Sequence, residues 1–237
     1  HPLPFFHQMC RPYNIDESSR PLLVSELKRL KSGLENFTGN AITAQALKKS
    51  IELYNTSRKL MRELNDIRRM QPGIISAANM VNVVASSMLM SREEHTELLK
   101  KLLDEIKIVK KRDDKRIKIV LAGHPCSVPD QALLNLIEDL GFVIVGDDLF
   151  AGVRSFAMDV RPDDDAMGAF ADYYMDLIPC TTYHYPDRWK KHADNYSAYA
   201  DYICDIMKNS DAKGLILLKV KYCDPLDMEF VLLRDRF

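Results

Sequence analysis

The sequence lacks the features that would mark a membrane, nucleic-acid-binding or disulfide-bonded protein. With 33 basic and 34 acidic residues, its net charge of -1 gives no long-range attraction to nucleic acid or to anionic lipid. No apolar run reaches the roughly 18–20 residues of a membrane-spanning helix. The five cysteines are odd in number and widely spaced, and none form a CxxC pair, so neither a disulfide framework nor a zinc knuckle is indicated. We therefore expect a protein of the reducing cytoplasm.

Several common nucleotide-binding and catalytic motifs are also missing. No GxGxxG follows the first predicted strand, and there is no P-loop or GxSxG elbow, so the usual dinucleotide, triphosphate and serine-hydrolase sites are poorly supported. His184 and His192 lie near Asp187, but at a spacing that matches no recognised metal site. These patterns leave the catalytic residues unknown.

The first half of the chain is predicted to be helical. Residues 1–15 are rich in proline and aromatics and are interpreted as a connector, and residues 16–112 as an all-helical region with apolar residues at helical spacing. Thr38-Gly39-Asn40 and Gln71-Pro72-Gly73 interrupt the pattern. Ser91 to Glu94 resembles a capping box that opens the fourth helix.

Two helices of this region have an unusual composition. Basic residues crowd the far half of the second helix, where we expect them to be solvated and to favour the helix dipole: Arg58, Arg62, Arg68 and Arg69. The third helix, over 76–90, is rich in Met, Ala and Ser. It is interpreted as a helix buried by its neighbours, with a flexible substrate wall as the alternative.

From residue 116 onward, strands and helices alternate. Strands are predicted over 117–123, 142–146 and from 215, with helices from Pro129 to Gly141, around 169–174 and over 187–208. This alternation favours parallel strands joined by crossovers. We therefore predict the α/β class, with a Rossmann-like (flavodoxin-like) parallel sheet half over 113–237, preceded by the all-helical region.

Chemically active residues follow the predicted strands. They are His124 and Cys126, then Asp147 and Asp148, then Cys223, Asp224 and Pro225, with Cys180 placed on the same rim. Parallel sheets bind ligands at the carboxyl ends of their strands, and thiolates hold iron–sulfur clusters. The alternatives are that Cys126 and Cys180 are small buried hydrophobes, as expected for Cys204, and that the aspartates only cap the next helix.

An ordered set of segments resembles a known family. It comprises Gly33 to Asn40 with the following helix, Glu93 to Leu99, Asp147-Asp148-Leu149 with Gly152 and Arg154, and Lys221-Tyr222-Cys223-Asp224-Pro225. Together these resemble the benzoyl-CoA reductase / 2-hydroxyacyl-CoA dehydratase family, of the D-component type of the 2-hydroxyglutaryl-CoA dehydratases. The resemblance runs over nearly the whole chain.

The resemblance implies a subunit of an oxygen-sensitive heterodimeric enzyme that acts on an acyl-CoA thioester. It implies a homologous second subunit, a [4Fe-4S] cluster held by three cysteines, and a separate ATP-hydrolysing iron–sulfur activator. The injected electron forms a ketyl radical at the thioester carbonyl, and dehydration or reduction follows.

Carried over by position, Cys223 matches the last cluster cysteine of the family, and Asp224 and Pro225 shape its turn. Cys126 and Cys180 match no ligand position, and the family often has a cysteine where Phe150 stands. Arg154 is predicted from its charge to anchor a substrate phosphate or a partner carboxylate. The other ligands are expected in a preceding domain. We therefore expect an internal fragment, incomplete at its C-terminus, inactive alone and without the cluster.

Two other functions remain open. One is a non-catalytic subunit of such a complex, which pairs with the catalytic chain or relays an electron to it. The other is a double-cluster reductase of small molecules that are not CoA thioesters. Binding of acyl-CoA solely to the partner chain would favour the first of these, and the second predicts that CoA thioesters have no effect on activity.

Overall fold

A computed structural model of the chain describes residues 4–110, 113–123, 128–161, 163, 165–176, 195–222, 227, 230–231 and 233–237. The chain divides into two compact units, here called unit 1 (His1–Asn55 with Asp159–Ala198) and unit 2 (Thr56–Met158 with Tyr199–Phe237). The domain boundaries predicted at residues 15 and 112 are based on the pattern of secondary structure. The two units are instead defined by which residues pack together. The domain organisation of the whole protein stays a prediction.

Four helices form over the region predicted to be helical: α1 Ser19–Thr38, α2 Ala44–Met70, α3 Ala77–Leu89 and α4 Arg92–Ile108. Gly39 ends α1 in the left-handed conformation (φ 70°) and donates its N–H to the carbonyl of Glu35. The Ser76 and Ser91 hydroxyls cap α3 and α4 by accepting backbone N–H groups of the first turn. Local sequence therefore sets the end of α1 and the starts of α3 and α4.

The second half forms a parallel α/β arrangement. Its elements are β1 Ile117–Gly123, α5 Gln131–Asp139, β2 Phe142–Asp147, a 3-10 turn at Val153–Ser155, α6 Ala166–Met175, α7 Asn195–Asn209 and β3 Gly214–Leu218. Both neighbours of β1 are parallel to it, in the order β2-β1-β3. This is the order in which flavodoxin-like sheets begin, and the predicted α/β class is confirmed. Of the helix predicted over 187–208, residues 187–194 lie outside the described residues.

Two apolar clusters hold unit 2 together. One joins the sheet to α3 and α5 through side chains that include Ile119, Leu121 and Leu134. The other joins the far half of α2 to α3 and α4 through side chains that include Leu64 and Leu99. Helix α3 contributes to both clusters, so its interpretation as a buried helix is confirmed. Burial of each large aliphatic side chain contributes roughly 1.5–3 kcal/mol.

Unit 1 has a separate core, in which α1 and the first turns of α2 pack with α6. Its buried members are Ile51, Val160, Ala166, Met167 and Ala169. Asn55 supports this packing, because its side-chain amide exchanges two hydrogen bonds with the backbone of Val160, at 2.7 and 3.0 Å. Among the described residues, no helix is both long and apolar enough to cross a membrane.

Candidate functional site

The candidate site lies at the carboxyl edge of the sheet in unit 2. Strand β2 pairs with one side of β1, and β3, which comes later in the chain, pairs with the other side. Open parallel sheets bind ligands where the strand order reverses in this way. Strand β1 ends here at Gly123, whose φ of +121° favours glycine, and a Cβ on it would lie 2.2 Å from the carbonyl oxygen of Leu218. The backbones of β1 and β3 therefore approach closely at this edge.

Strand β3 differs from the buried strand that the sequence predicted to continue toward Cys223. It ends at Leu218 and is only half-buried along its length, because among the described strands only β1 pairs with it. Tyr222 then turns the chain with a positive φ of 67°. Cys223, Asp224 and Pro225, like His124, Cys126 and Cys180, lie outside the described residues. Their predicted roles stay predictions.

Two arginine–aspartate pairs are buried where β2 ends. The guanidinium of Arg68, from α2, lies 2.8 Å from Asp147, and that of Arg154 lies 2.7 Å from Asp148. All four side chains are at most 6% exposed. Each buried carboxylate is thus compensated by a buried cation, which is the condition under which proteins tolerate buried charge.

The prediction that Arg68 is solvated is wrong, and the reason is tertiary. Its partner Asp147 lies 79 residues further along the chain, so the local pattern does not reveal the pair. One signal was present nevertheless. Arg68 follows Met61 and Leu64 by seven and four residues, which places it on the apolar stripe of α2. A charged residue in such a stripe is a candidate for a buried pair.

Asp147 organises the connection that follows β2. Its Oδ1 accepts the N–H of Val153 at 2.9 Å and that of Leu149 at 3.4 Å, while Oδ2 accepts a hydrogen bond from Arg68. A Cβ at Gly152 would lie 1.9 Å from Oδ1 of Asp147. The backbone can therefore approach this carboxylate so closely only because residue 152 is a glycine. Val153 is the first residue of the 3-10 turn, so Asp147 supports the start of that turn in addition to pairing with Arg68.

Asp148 joins three elements at the same edge. Its N–H donates to the carbonyl of Leu121 in β1 at 2.8 Å, and its Oδ2 accepts the hydroxyl of Tyr199 from α7 at 2.9 Å. The guanidinium of Arg154 lies about 6 Å from the ring centroids of Tyr199 and Tyr202, at 5.9 and 6.0 Å, within the range of cation–π attraction. The two tyrosines were missed from sequence, since nothing local links α7 to β2.

Burial dominates the electrostatics of this cluster. It raises the pKa of the Asp148 carboxyl, although the charge of Arg154 and the hydrogen bonds from Arg154 and Tyr199 oppose that shift. Burial, followed by the neighbouring Asp148, also raises the pKa of Tyr199, which therefore stays a neutral donor. The arrangement holds a protonated phenol against a carboxylate and keeps both away from solvent.

Arg154 was predicted to anchor a substrate phosphate or a partner carboxylate. Its side chain is 5% exposed, pairs with Asp148 and lies against the two tyrosine rings. In this arrangement it fixes the carboxyl end of β2. Its role in substrate binding stays a prediction.

The described residues do not form a metal site. No group of three His, Cys, Asp or Glu side chains among them could hold an ion. Two cysteines are described: Cys10 is exposed, and Cys204, expected to be a buried hydrophobe, is half-buried in α7. An iron–sulfur cluster needs several thiolates, so this part of the chain does not fit one by itself.

Comparison with known proteins identifies the relatives of the chain. The family model described as 2-hydroxyglutaryl-CoA dehydratase, D-component, matches residues 1–237. The chain is 28% identical to the (R)-phenyllactyl-CoA dehydratase beta subunit of Clostridium sporogenes, over 93% of the chain and 56% of that protein. It is 28% identical to a subunit of the benzoyl-CoA reductase of Thauera aromatica, over 90% of the chain and 53% of that protein.

A third relative is the beta subunit of (R)-2-hydroxyglutaryl-CoA dehydratase from Acidaminococcus fermentans, 28% identical over 85% of the chain and 51% of that protein. The chain thus spans about half the length of the curated relatives it matches. The family model covers every residue of the chain, and the resemblance carried by its ordered motifs is confirmed. The chain belongs to the 2-hydroxyglutaryl-CoA dehydratase D-component family.

Proposed function

We propose that the protein is a subunit of an activator-dependent iron–sulfur enzyme of the cytoplasm that acts on an acyl-CoA thioester, as a 2-hydroxyacyl-CoA dehydratase or a benzoyl-CoA reductase. It works with a homologous second subunit and an ATP-dependent iron–sulfur activator, through a ketyl radical of the substrate. The observation that carries the proposal is the family match over residues 1–237. The names of the relatives, which are subunits of dehydratases and of a reductase, support it.

The geometry of unit 2 supports a ligand site at the carboxyl edge of the sheet. The strand order reverses between β1 and β3, and the backbones meet at Gly123 and Leu218. Beside them, the ion pairs of Asp147 and Asp148 fix the end of β2. A rigid, buried frame of this kind holds a thioester in one orientation and excludes water from its carbonyl.

We further propose that Cys223 is one ligand of a [4Fe-4S] cluster whose other ligands lie outside this chain. Strand β3 ends five residues before Cys223, at the edge where β1 also ends. Asp224 and Pro225 shape the turn that presents the thiolate. When bound, the cluster supplies single electrons at low potential.

Iron and acid-labile sulfide, measured on the full-length protein made anaerobically with its second subunit, test this assignment. Cys223→Ala is expected to lose most of the iron assigned to this subunit. Cys10→Ala is the matched control, because Cys10 is exposed in unit 1 and is expected to leave the iron content unchanged. Equal iron content in both variants would remove Cys223 from the ligand set.

A non-catalytic pairing or relay subunit is the second candidate, and one observation favours it. The relatives are named as single subunits of larger enzymes, so catalysis in those complexes need not lie on this chain. Calorimetric titration of the full-length protein with a CoA thioester separates the two functions. Tight binding to this subunit alone supports the catalytic function, whereas binding only to the isolated second subunit supports the pairing function.

A further inference from the structure

The hydroxyl of Tyr199 lies where α7 meets the ends of two strands at the carboxyl edge of the sheet. The side chain is buried, and its hydroxyl donates a hydrogen bond of 2.9 Å to Oδ2 of Asp148, the residue that follows β2. The backbone N–H of Asp148 donates in turn to the carbonyl of Leu121 in β1, at 2.8 Å. The phenol is therefore bonded to a residue that already joins β2 to β1.

A second contact links the same hydroxyl to the last residue of β1. Burial, followed by the charge of Asp148, raises the pKa of Tyr199, whereas a hydrogen bond from the backbone N–H of Gly123 acts to lower it. The phenol oxygen thus accepts from Gly123 while its proton is donated to Asp148. Only the neutral phenol can fill both roles, because a phenolate has no proton to donate.

Gly123 lies at the crevice that the sheet topology marks as the ligand site. The strand order reverses between β1 and β3, and open parallel sheets bind ligands in the crevice at such a point. A Cβ on Gly123 would lie 2.2 Å from the carbonyl oxygen of Leu218, the last residue of β3. A shift of Gly123 therefore changes the crevice itself, although the buried Tyr199 presents almost no surface to a ligand.

The ring of Tyr199 can be packed and the charges balanced without its hydroxyl. The guanidinium of Arg154 lies 5.9 Å from the ring centroid, and this cation–π contact would be kept by a phenylalanine. Asp148 would also keep its ion pair with Arg154, at 2.7 Å. Removal of the hydroxyl alone therefore tests the link between the strand ends.

We propose that Tyr199 is a positioning residue of the thioester site, whose hydroxyl holds the carboxyl ends of β1 and β2 in the arrangement that the crevice between β1 and β3 needs to bind an acyl-CoA. This inference rests on the proposed function. Its physical basis is preorganisation, because a site that is already held in its binding geometry loses less conformational freedom when the ligand binds.

Calorimetric titration of benzoyl-CoA and of lactoyl-CoA into the full-length protein, assembled with its second subunit, provides the test. It measures the dissociation constant and the number of sites separately. In Tyr199→Phe, the Kd of the thioester that binds the wild type more tightly is expected to rise about three- to tenfold, the range expected for one net hydrogen bond. The number of sites is expected to stay unchanged, whereas a merely structural role would lower that number and leave Kd as it is.

Ser210→Ala is the matched control. It also removes a buried hydroxyl, which donates to the carbonyl of Ile206 at 2.7 Å. Ser210 directly follows the other end of α7, near the start of β3, so it lies at the amino edge of the sheet. This variant is expected to bind the thioester with the Kd of the wild type.

Four outcomes would overturn the inference. They are an unchanged Kd in Tyr199→Phe, a fall in the number of sites alone, an equal rise of Kd in Ser210→Ala, and a Tyr199→Phe protein that does not fold, which would make the hydroxyl a structural group only. The wild-type titration separates the two levels. If the wild-type complex binds neither thioester, the proposed function fails; if it binds one and Tyr199→Phe binds it equally tightly, only the inference about Tyr199 fails.

Discussion

Units 1 and 2 each contain an arginine–aspartate ion pair, but the pair compared in unit 1 is partly exposed to solvent and the one in unit 2 is buried. In unit 1, Arg20 on α1 lies 2.7 Å from Asp172 on α6, with side chains 46% and 35% exposed. In unit 2, Arg68 lies 2.8 Å from Asp147, with side chains 2% and 6% exposed. The two distances are almost equal, so distance alone does not rank the pairs. Burial ranks the two pairs by their contribution to stability. Loss of one partner leaves an uncompensated charge in the protein interior only for the pair in unit 2.

The largest expected effect comes from breaking the buried pair. Asp147→Ala leaves Arg68 buried without its counter-ion and removes the acceptor for the Val153 N–H, at 2.8 and 2.9 Å respectively. We expect the free energy of unfolding to fall by about 3–5 kcal/mol. Urea denaturation of the full-length protein measures it.

A double variant distinguishes lost charge balance from lost packing. In Arg68→Met with Asp147→Asn, both charges are removed while the amide oxygen at position 147 can still accept the Val153 N–H, so much of the loss is expected to be recovered. A loss below about 1 kcal/mol in Asp147→Ala would mean that this buried pair behaves like an exposed one.

His95 extends the comparison between buried and exposed charges. Unit 2 buries this imidazole, and the contacts described for it include no carboxylate. It is 2% exposed, and its Nε2 donates to the carbonyl of Val83 at 3.0 Å. Burial lowers its pKa from the usual value of 6.5. As the pH falls below 6.5 the unfolded chain takes up a proton, whereas the folded chain takes it up only at the lower pKa of its buried imidazole. The stability that the neutral imidazole contributes is therefore present above pH 6.5 and is lost as the pH falls from there to the folded pKa.

We expect the free energy of unfolding to fall by up to about 1.4 kcal/mol per pH unit below pH 6.5 on account of this group. In His95→Gln, which keeps a donor for Val83 but does not titrate, that part of the slope should disappear. Denaturation series at pH 7, 6 and 5 compare the two proteins, and parallel profiles would exclude His95 as the source.

The smallest effect is expected in unit 1. Asp172→Asn should cost about 0.2–1 kcal/mol, because water and salt screen this half-exposed pair. The hydrogen bond from Arg20 lowers the pKa of Asp172, so its contribution is present above the ordinary carboxyl pKa and is lost as the pH falls further. Urea denaturation in low and high salt measures it, and a cost that does not shrink with salt would contradict the screened picture.

Local features of this fold could be predicted from the sequence. Ser91 caps its helix, as its pattern predicted, and Gly39 and Gly141 adopt the positive φ expected at helix ends, at 70° and 91°. The apolar runs at β1 and β2 formed strands within a residue of the predicted bounds. These signals lie within a few neighbouring residues, so the sequence displays them directly.

Long-range features were less accessible. The apolar run around residue 215 predicted a longer and more deeply buried strand, because its pattern does not show how many neighbours the strand has. The partners of Asp147 and Asp148 come from α2, the 3-10 turn and α7, and only their packing reveals the cluster. Cys223 was singled out by its position after an apolar run, its role as a cluster ligand came from the family resemblance, and that role depends on the iron measurement.

The two adjacent aspartates also constrain how this protein can change over generations. Each carboxylate is matched to an arginine from a different element, so replacing any one of the four residues leaves an unmatched charge inside the protein. Neutral drift at one position is therefore blocked until its partner changes as well. We expect accepted substitutions here to occur in pairs, with Arg68 covarying with Asp147 and Arg154 with Asp148, and deep mutational scanning of these four positions would show that coupling as strong pairwise epistasis.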